Sequence, residues 1–196
     1  MRKTILASVA IMAGISILLS CGGSDSKSVA VAEISHDSLV KRGEYLVTIM
    51  GCNDCHTPMK MTEQGPGPDM DRLLSGYPSQ LPVGKVDTTV LKQWAMFGMA
   101  SPAMAGPWGI SFPANLTSDE TGIGSWTEAQ FKKALTEGKF KGQEGTRPLL
   151  PPMPWQNYVN IKDEDVKAIF AFLKSTKPVN NVVPNAVPPT ELKKYL

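Results

Sequence analysis

Two thiols and an imidazole are gathered in the run Gly51-Cys52-Asn53-Asp54-Cys55-His56. Cysteines three positions apart lie about one helical turn from each other, so both sulfurs can bond one flat ligand from the same side of a helix. The imidazole that follows is placed to ligate a metal at the centre of that ligand. The C-x-x-C-H pattern therefore reads as an attachment site for c-type haem, with Cys52 and Cys55 adding to the two vinyl groups of one porphyrin and His56 under the iron. The 196 residues hold three Cys and two His, so chance assembly of the pattern is rare. Two other chemistries draw on the same residues. A redox-active dithiol belongs in a βαβ setting, whereas the surroundings of Cys52 and Cys55 read as helical. A structural zinc site needs four ligands, of which Cys52, Cys55 and His36 supply three.

The sixth position of a haem iron decides between electron transfer and catalysis. Met153 stands in Leu149-Leu150-Pro151-Pro152-Met153-Pro154-Trp155, where prolines on both sides stiffen the backbone and lower the cost of holding a thioether in place. Apolar filling is the alternative role for this residue, and Met59, Met61, Met70, Met96, Met99 and Met104 are competing thioethers. Met96, Met99 and Met104 also have the softness that suits Cu(I). His36, the other histidine, comes just before the first expected helix. The ring nitrogen of His56 away from the iron needs a hydrogen-bond acceptor, and Gly65-Pro66-Gly67-Pro68 offers the carbonyls of Pro66 and Pro68. Trp94, Trp108, Trp126 and Trp155 are indoles that either fill the core or reach a haem propionate.

Three helices are expected to position these groups. The first covers residues 37–50, with Leu39, Tyr45, Leu46 and Ile49 near helical spacing and Gly43 allowing another backbone to approach closely. The second opens on the capping-box pattern Ser125-x-x-Glu128, carries Trp126, Phe131, Ala134 and Leu135, and ends at Gly138. The third starts at Asp163, Glu164 and Asp165, which suit the positive end of the helix dipole, and its face is Val166, Ile169, Phe170 and Leu173, with Pro178 beyond its end. Residues 57–114 are rich in Gly, Pro and Met and are expected to form a long irregular insertion wrapped on the haem. Within it, residues 88–97 fit a helix through Val90, Trp94 and Phe97 and a strand through Thr88-Thr89-Val90. Residues 179–196, with Pro184, Pro188 and Pro189, read as an extended arm. The expectation is an all-α fold, a three-helix core around one haem, in a single domain over residues 37–178.

At the N-terminus, Arg2 and Lys3 precede an apolar run over residues 4–19 and then Ser20-Cys21-Gly22-Gly23. This is the layout of an export signal, residues 1–20, rather than of a spanning helix. Leu18-Leu19-Ser20-Cys21 resembles a bacterial lipobox, which implies lipid on Cys21 and a flexible tether over 21–36, small and polar from Gly22 to Ser28; ordinary cleavage near Ser20 with a free Cys21 is the alternative. Export agrees with covalent haem ligation, which bacteria complete outside the cytoplasm. The expected location is the cell envelope, facing the periplasm and held to a membrane by the lipid anchor. Loss of residues 1–20 removes Arg2 and Lys3 and no acid, which takes the formal charge of +2 to zero. Such a balance gives no support to a nucleic-acid partner.

Arg42-Gly43-Glu44-Tyr45-Leu46 leading into Cys52-x-x-Cys55-His56, then Asn115-Leu116-Thr117 with Gly122-Ile123-Gly124-Ser125-Trp126-Thr127, then Pro151-Pro152-Met153-Pro154 and Asp163-Glu164-Asp165-Val166-Lys167-Ala168-Ile169-Phe170 together resemble the class I-like bacterial monohaem cytochromes c over residues 37–178. The pattern is similar to the cytochrome domains that accompany periplasmic alcohol, aldehyde and sugar-acid dehydrogenases. Those partner subunits often carry three C-x-x-C-H motifs, and this chain carries one. The resemblance implies that Met153 is the sixth ligand and that the first and last helices cross near the haem. It also implies a single-electron carrier, not an enzyme by itself, working between redox protein donors and acceptors, a periplasmic dehydrogenase among them. The alternative is a haem enzyme or gas sensor with an open sixth position, which would need a distal acid-base residue.

Overall fold

The Ser35 hydroxyl accepts the Ser38 amide at 3.2 Å and starts the first helix, α1 (His36–Ile49). From that residue on, a computed structural model describes residues 35–98 and 102–195, all within one unit, Ile34–Leu196. A short helix, α2 (Cys52–His56), follows α1; α3 (Glu128–Glu137) and α4 (Asp163–Ser175) complete the α-helices among the described residues. Thr127, not Ser125, caps α3, its hydroxyl taking the Gln130 amide at 3.2 Å, so the expected capping box does not form. Gly138 ends α3 at φ +65°.

The inward face of α1 differs from the expected one. Tyr45 and Ile49 are 62% and 59% exposed, while Gly43 and Val47 are buried and Leu46 and Met50 pack beside them. The reason is α4, whose backbone runs directly over Gly43: a Cβ there would lie 2.0 Å from the Ala168 carbonyl oxygen. The crossing of α1 and α4 is thus set by a residue that adds nothing to a hydrophobic pattern. Val47, Leu74, Ile123, Phe131, Leu135, Val166, Ile169 and Leu173 form one apolar cluster beneath α1, α3 and α4.

The all-α expectation is corrected by the insertion, which holds two small antiparallel sheets. Strands β1 (Met59–Thr62) and β2 (Gly65–Pro68) form a hairpin that pairs Met59 with Pro68 and Thr62 with Gly65. Strands β3 (Met96–Phe97), β4 (Met104–Gly106) and β5 (Gly109–Ser111) form the second sheet, in that order. Gly106 and Gly109 flank the two-residue turn Pro107-Trp108, and Gly109 sits at φ +98°, where a side chain would be strained. The ambiguous stretch resolves into a 3-10 turn, Val90–Lys92, ahead of strand β3.

The tail is not a free arm. Ile110 and Val187 exchange backbone hydrogen bonds of 2.9 Å each, residues Pro189–Tyr195 form a 3-10 helix, and the Tyr195 carbonyl accepts the Val86 amide at 2.7 Å. Apolar side chains drive this return: Val187 and Leu192 join Val86, Leu91, Ala105 and Ile110 in a second buried cluster. Among the described residues, no helix is long and apolar enough to cross a membrane.

Candidate functional site

Gly51, at φ +69°, turns the chain out of α1 and into α2, a conformation open to glycine and costly for other residues. The five residues of α2 place Cys52, Cys55 and His56 on one short helix, with both cysteines unpaired and half-buried. Burial pushes the Cys52 thiol up to about 11, and burial together with the Asp54 carboxylate raises Cys55. Both sulfurs are therefore protonated at neutral pH. A reactive dithiol requires the opposite, a thiolate held low by positive neighbours. The zinc alternative also loses its ligand set, because among the described residues no three His, Cys, Asp or Glu side chains group to hold a metal ion. A planar, largely apolar group fits the surroundings better: Cys52 lies at the rim of the helical apolar cluster, beside the buried and unpartnered Asn53 Oδ1.

His56 Nδ1 lies 2.7 Å from the Ala114 carbonyl. A carbonyl only accepts, so Nδ1 carries the proton and Nε2 keeps its lone pair for a metal. Burial holds the His56 pKa down, opposed by that carbonyl. The acceptor expected at Pro66 or Pro68 is corrected to Ala114, since residues 65–68 are drawn away into the hairpin as strand β2.

A strap holds the Ala114 carbonyl in place. The Leu116 amide donates to the Leu74 carbonyl at 2.8 Å, the Tyr77 amide to Pro113 at 3.0 Å, and the Gly76 amide to the His56 carbonyl itself at 2.8 Å. Gly76 is pressed so close that a Cβ would lie 2.6 Å from the Ala114 carbonyl carbon. Next along the chain, the buried Asn115 donates to the Val179 carbonyl at 2.8 Å and accepts from the Thr117 amide and hydroxyl. Asn181, also buried, donates to the Ser75 and Tyr77 carbonyls and accepts the Ser79 amide. Apart from His56, the sequence motifs include only Asn115, Leu116 and Thr117 of these residues, with no task assigned to them.

Met153 is half-buried and packs against the same cluster as Cys52. Its loop leaves α3 through Gly138, whose carbonyl accepts the Leu149 amide at 2.7 Å, and runs into the 3-10 turn Trp155–Tyr158. Trp155 covers Gly138, where a Cβ would lie 2.4 Å from the indole. Of the competing thioethers, Met61 and Met70 are 79% and 62% exposed, Met59 is in β1, and Met96 packs on the second cluster. Met104 lies in β4, opposite β3, which carries Met96. Met99 and Cys21 lie outside the described residues. His36 is exposed at the start of α1. Of the indoles, Trp94 is 70% exposed, Trp126 packs on the helical cluster, and Trp108 donates to Ser111 Oγ at 3.3 Å.

The family model described as cytochrome c matches residues 40–177 of this chain. The chain is 30% identical over 166 residues to the gluconate 2-dehydrogenase cytochrome c subunit of Pantoea cypripedii, covering 84% of this chain and 29% of that one. It is 30% identical over 149 residues to the fructose dehydrogenase cytochrome subunit of Gluconobacter japonicus, covering 74% and 23%. A nicotinate dehydrogenase subunit of Pseudomonas putida is 41% identical over 83 residues, 42% of this chain and 7% of that protein. The chain thus spans less than a third of the length of these relatives.

Proposed function

The chain belongs to the cytochrome c family, carries covalently bound haem c and transfers electrons, and we propose that Cys52 and Cys55 form the thioether links while His56 and Met153 ligate the iron. Bound haem c supplies a one-electron couple between Fe(III) and Fe(II). His56 presents Nε2 because Nδ1 is committed to Ala114. A neutral thioether from Met153 favours the reduced iron and raises the potential. The apolar side chains around Met153 exclude water, which acts in the same direction.

The observation that carries this reading is that Met153 and Cys52, far apart in sequence, pack against one apolar cluster. A haem enzyme or gas sensor needs an acid-base group over an open sixth position, and His36, exposed at the start of α1, is no such group.

The names of the relatives support a dehydrogenase as electron donor, with a second redox protein as acceptor. In the same proposal, residues 1–20 are an export signal, Cys21 carries lipid, residues 21–36 are the tether, and the domain from residue 37 on faces the periplasm at a membrane surface. The test is a visible spectrum of the purified protein, oxidised and reduced, with and without carbon monoxide. The expected outcome is a low-spin six-coordinate iron with a weak far-red sulfur-to-iron band, no rapid carbon monoxide binding, and pigment that survives acid-acetone extraction. Met153→Ala should keep the pigment, abolish the band and open the iron. A parent protein that binds carbon monoxide readily, or a variant with the parent's spectrum, overturns the ligand assignment.

A further inference from the structure

The loop bearing Met153 has few ways to be tied down. Pro151, Pro152 and Pro154 have no N–H to donate, and the amide of Met153 is used locally, closing a turn onto the Leu150 carbonyl at 3.3 Å. What remains is a carbonyl, and that of Pro151 accepts a hydrogen bond of 2.6 Å from Ser111 Oγ.

Ser111 ends strand β5, forty residues away in sequence, and is 9% exposed. Its single hydroxyl proton has two acceptors in reach, Pro151 at 2.6 Å and Met104 at 3.3 Å, and the shorter bond takes it. The Trp108 indole donates to the same oxygen at 3.3 Å, occupying a lone pair and turning the hydroxyl toward the loop. The indole is itself seated: it lies so close over Gly106 that a Cβ there would be 2.4 Å from the ring. The neighbouring Ile110 anchors β5 to Val187 of the tail. A sheet anchored to the tail therefore holds the residue two positions before Met153.

We propose that Ser111 is a positioning residue for the sixth iron ligand: through Pro151 it fixes the turn that presents the Met153 thioether. The role rests on the reading of Met153 as axial ligand. A hydroxyl that acts in this way alters the strength of a metal bond, which a merely stabilising hydrogen bond would leave alone.

The test uses the full haem-loaded protein as parent, Ser111→Ala, Ser111→Thr, Trp108→Phe and Met153→Ala, and reads the far-red band, the reduction potential, the rate of carbon monoxide binding to the reduced form and the melting temperature. Ser111→Ala is expected to keep its haem, weaken the band, lower the potential and bind carbon monoxide about tenfold faster, the scale on which outer-shell partners act on metal ligation. Ser111→Thr, which keeps the hydroxyl, should restore the parent's behaviour. Trp108→Phe leaves the hydroxyl unoriented and should shift the same readings in the same direction by a smaller factor, and it decides the matter should Ser111→Ala fail to fold. If band, potential and carbon monoxide rate match the parent in these variants while only the melting temperature falls, Ser111 is structural and the proposal is overturned. If Met153→Ala itself keeps the parent's spectrum, the axial assignment is what has failed, and the role of Ser111 goes with it.

Discussion

The two apolar clusters of this molecule are built by opposite means. The cluster beneath α1, α3 and α4 draws most of its side chains from helices, each of which satisfies its own backbone before it meets a neighbour. The cluster beneath β3, β4 and β5 collects Val86, Leu91, Ala105, Ile110, Val187 and Leu192 from short strands, 3-10 turns and the tail. None of those pieces is long enough to hold itself, and their backbone partners lie far away along the chain, as the Ile110–Val187 pair illustrates. Closing such a loop costs chain entropy before any contact offsets it. The lesson is that a helical scaffold can stand ready for a cofactor, whereas the sheet that steadies the Met153 loop forms only with the tail in place.

Four substitutions would break or sharpen this contrast. Gly43→Val places a side chain into the backbone of α4 at Ala168, with Phe172 Cβ 2.7 Å from where its Cβ would sit. The expected loss is about 3 kcal/mol or more, toward the upper end of overpacking costs. Chemical denaturation of the haem-loaded protein measures it; a loss below about 1 kcal/mol would show that α1 and α4 can slide apart.

Ile110→Ala empties the centre of the other cluster, where Ile110 is 1% exposed, at a cost of about 3 kcal/mol for a large-to-small core change. Hydrogen exchange should place that loss in residues 83–98, 102–112 and 186–195 while amides of α1 and α4 keep their protection. Uniform loss across both regions would mean that the clusters fold as one cooperative body.

Asn181→Ala cuts the link between the tail and the strap. It leaves the Ser75 and Tyr77 carbonyls and the Ser79 amide without their side-chain partner in a buried place, for about 2 kcal/mol. The expected signature is faster exchange in the strap behind His56 with both clusters still protected. Arg42→Ala should show the least. Arg42 pairs with Asp165 between α1 and α4, but its side chain is half-exposed, and such a pair contributes below about 1 kcal/mol. A change that survives high salt would argue for packing of the guanidinium stem instead.

Much of the helical half can be read along the chain. Helical spacing, the acidic start of α4 and Gly138 locate α3 and α4, and the motif of α2 announces its own chemistry. The inward face of α1 is not legible in the same way, because Leu39, Tyr45, Leu46 and Ile49 satisfy the same periodicity as the true face. The closest contact there is made by Gly43, which contributes space rather than hydrophobicity. The acceptor for His56 was beyond reach for a different reason. Every residue has a carbonyl, and only the strap from Leu74 to Tyr77, with Leu74 itself at φ +60°, selects the one at Ala114. The second sheet escaped because strands of two or three residues carry no detectable alternation, and Met153's tie to Ser111 escaped because it joins a hydroxyl to a proline carbonyl.

The place of Asn181 along the chain has a consequence for the seat of His56. Asn181 follows Ser75 by 106 residues, so the strap behind His56 is locked only when the tail has folded back onto it. Without that asparagine, the strap behind His56 lacks its side-chain lock and the imidazole lacks a fixed seat. The orientation of the His56 ring, near the front of the domain, thus depends on the return of its tail, and fraying there would loosen the ring without touching it.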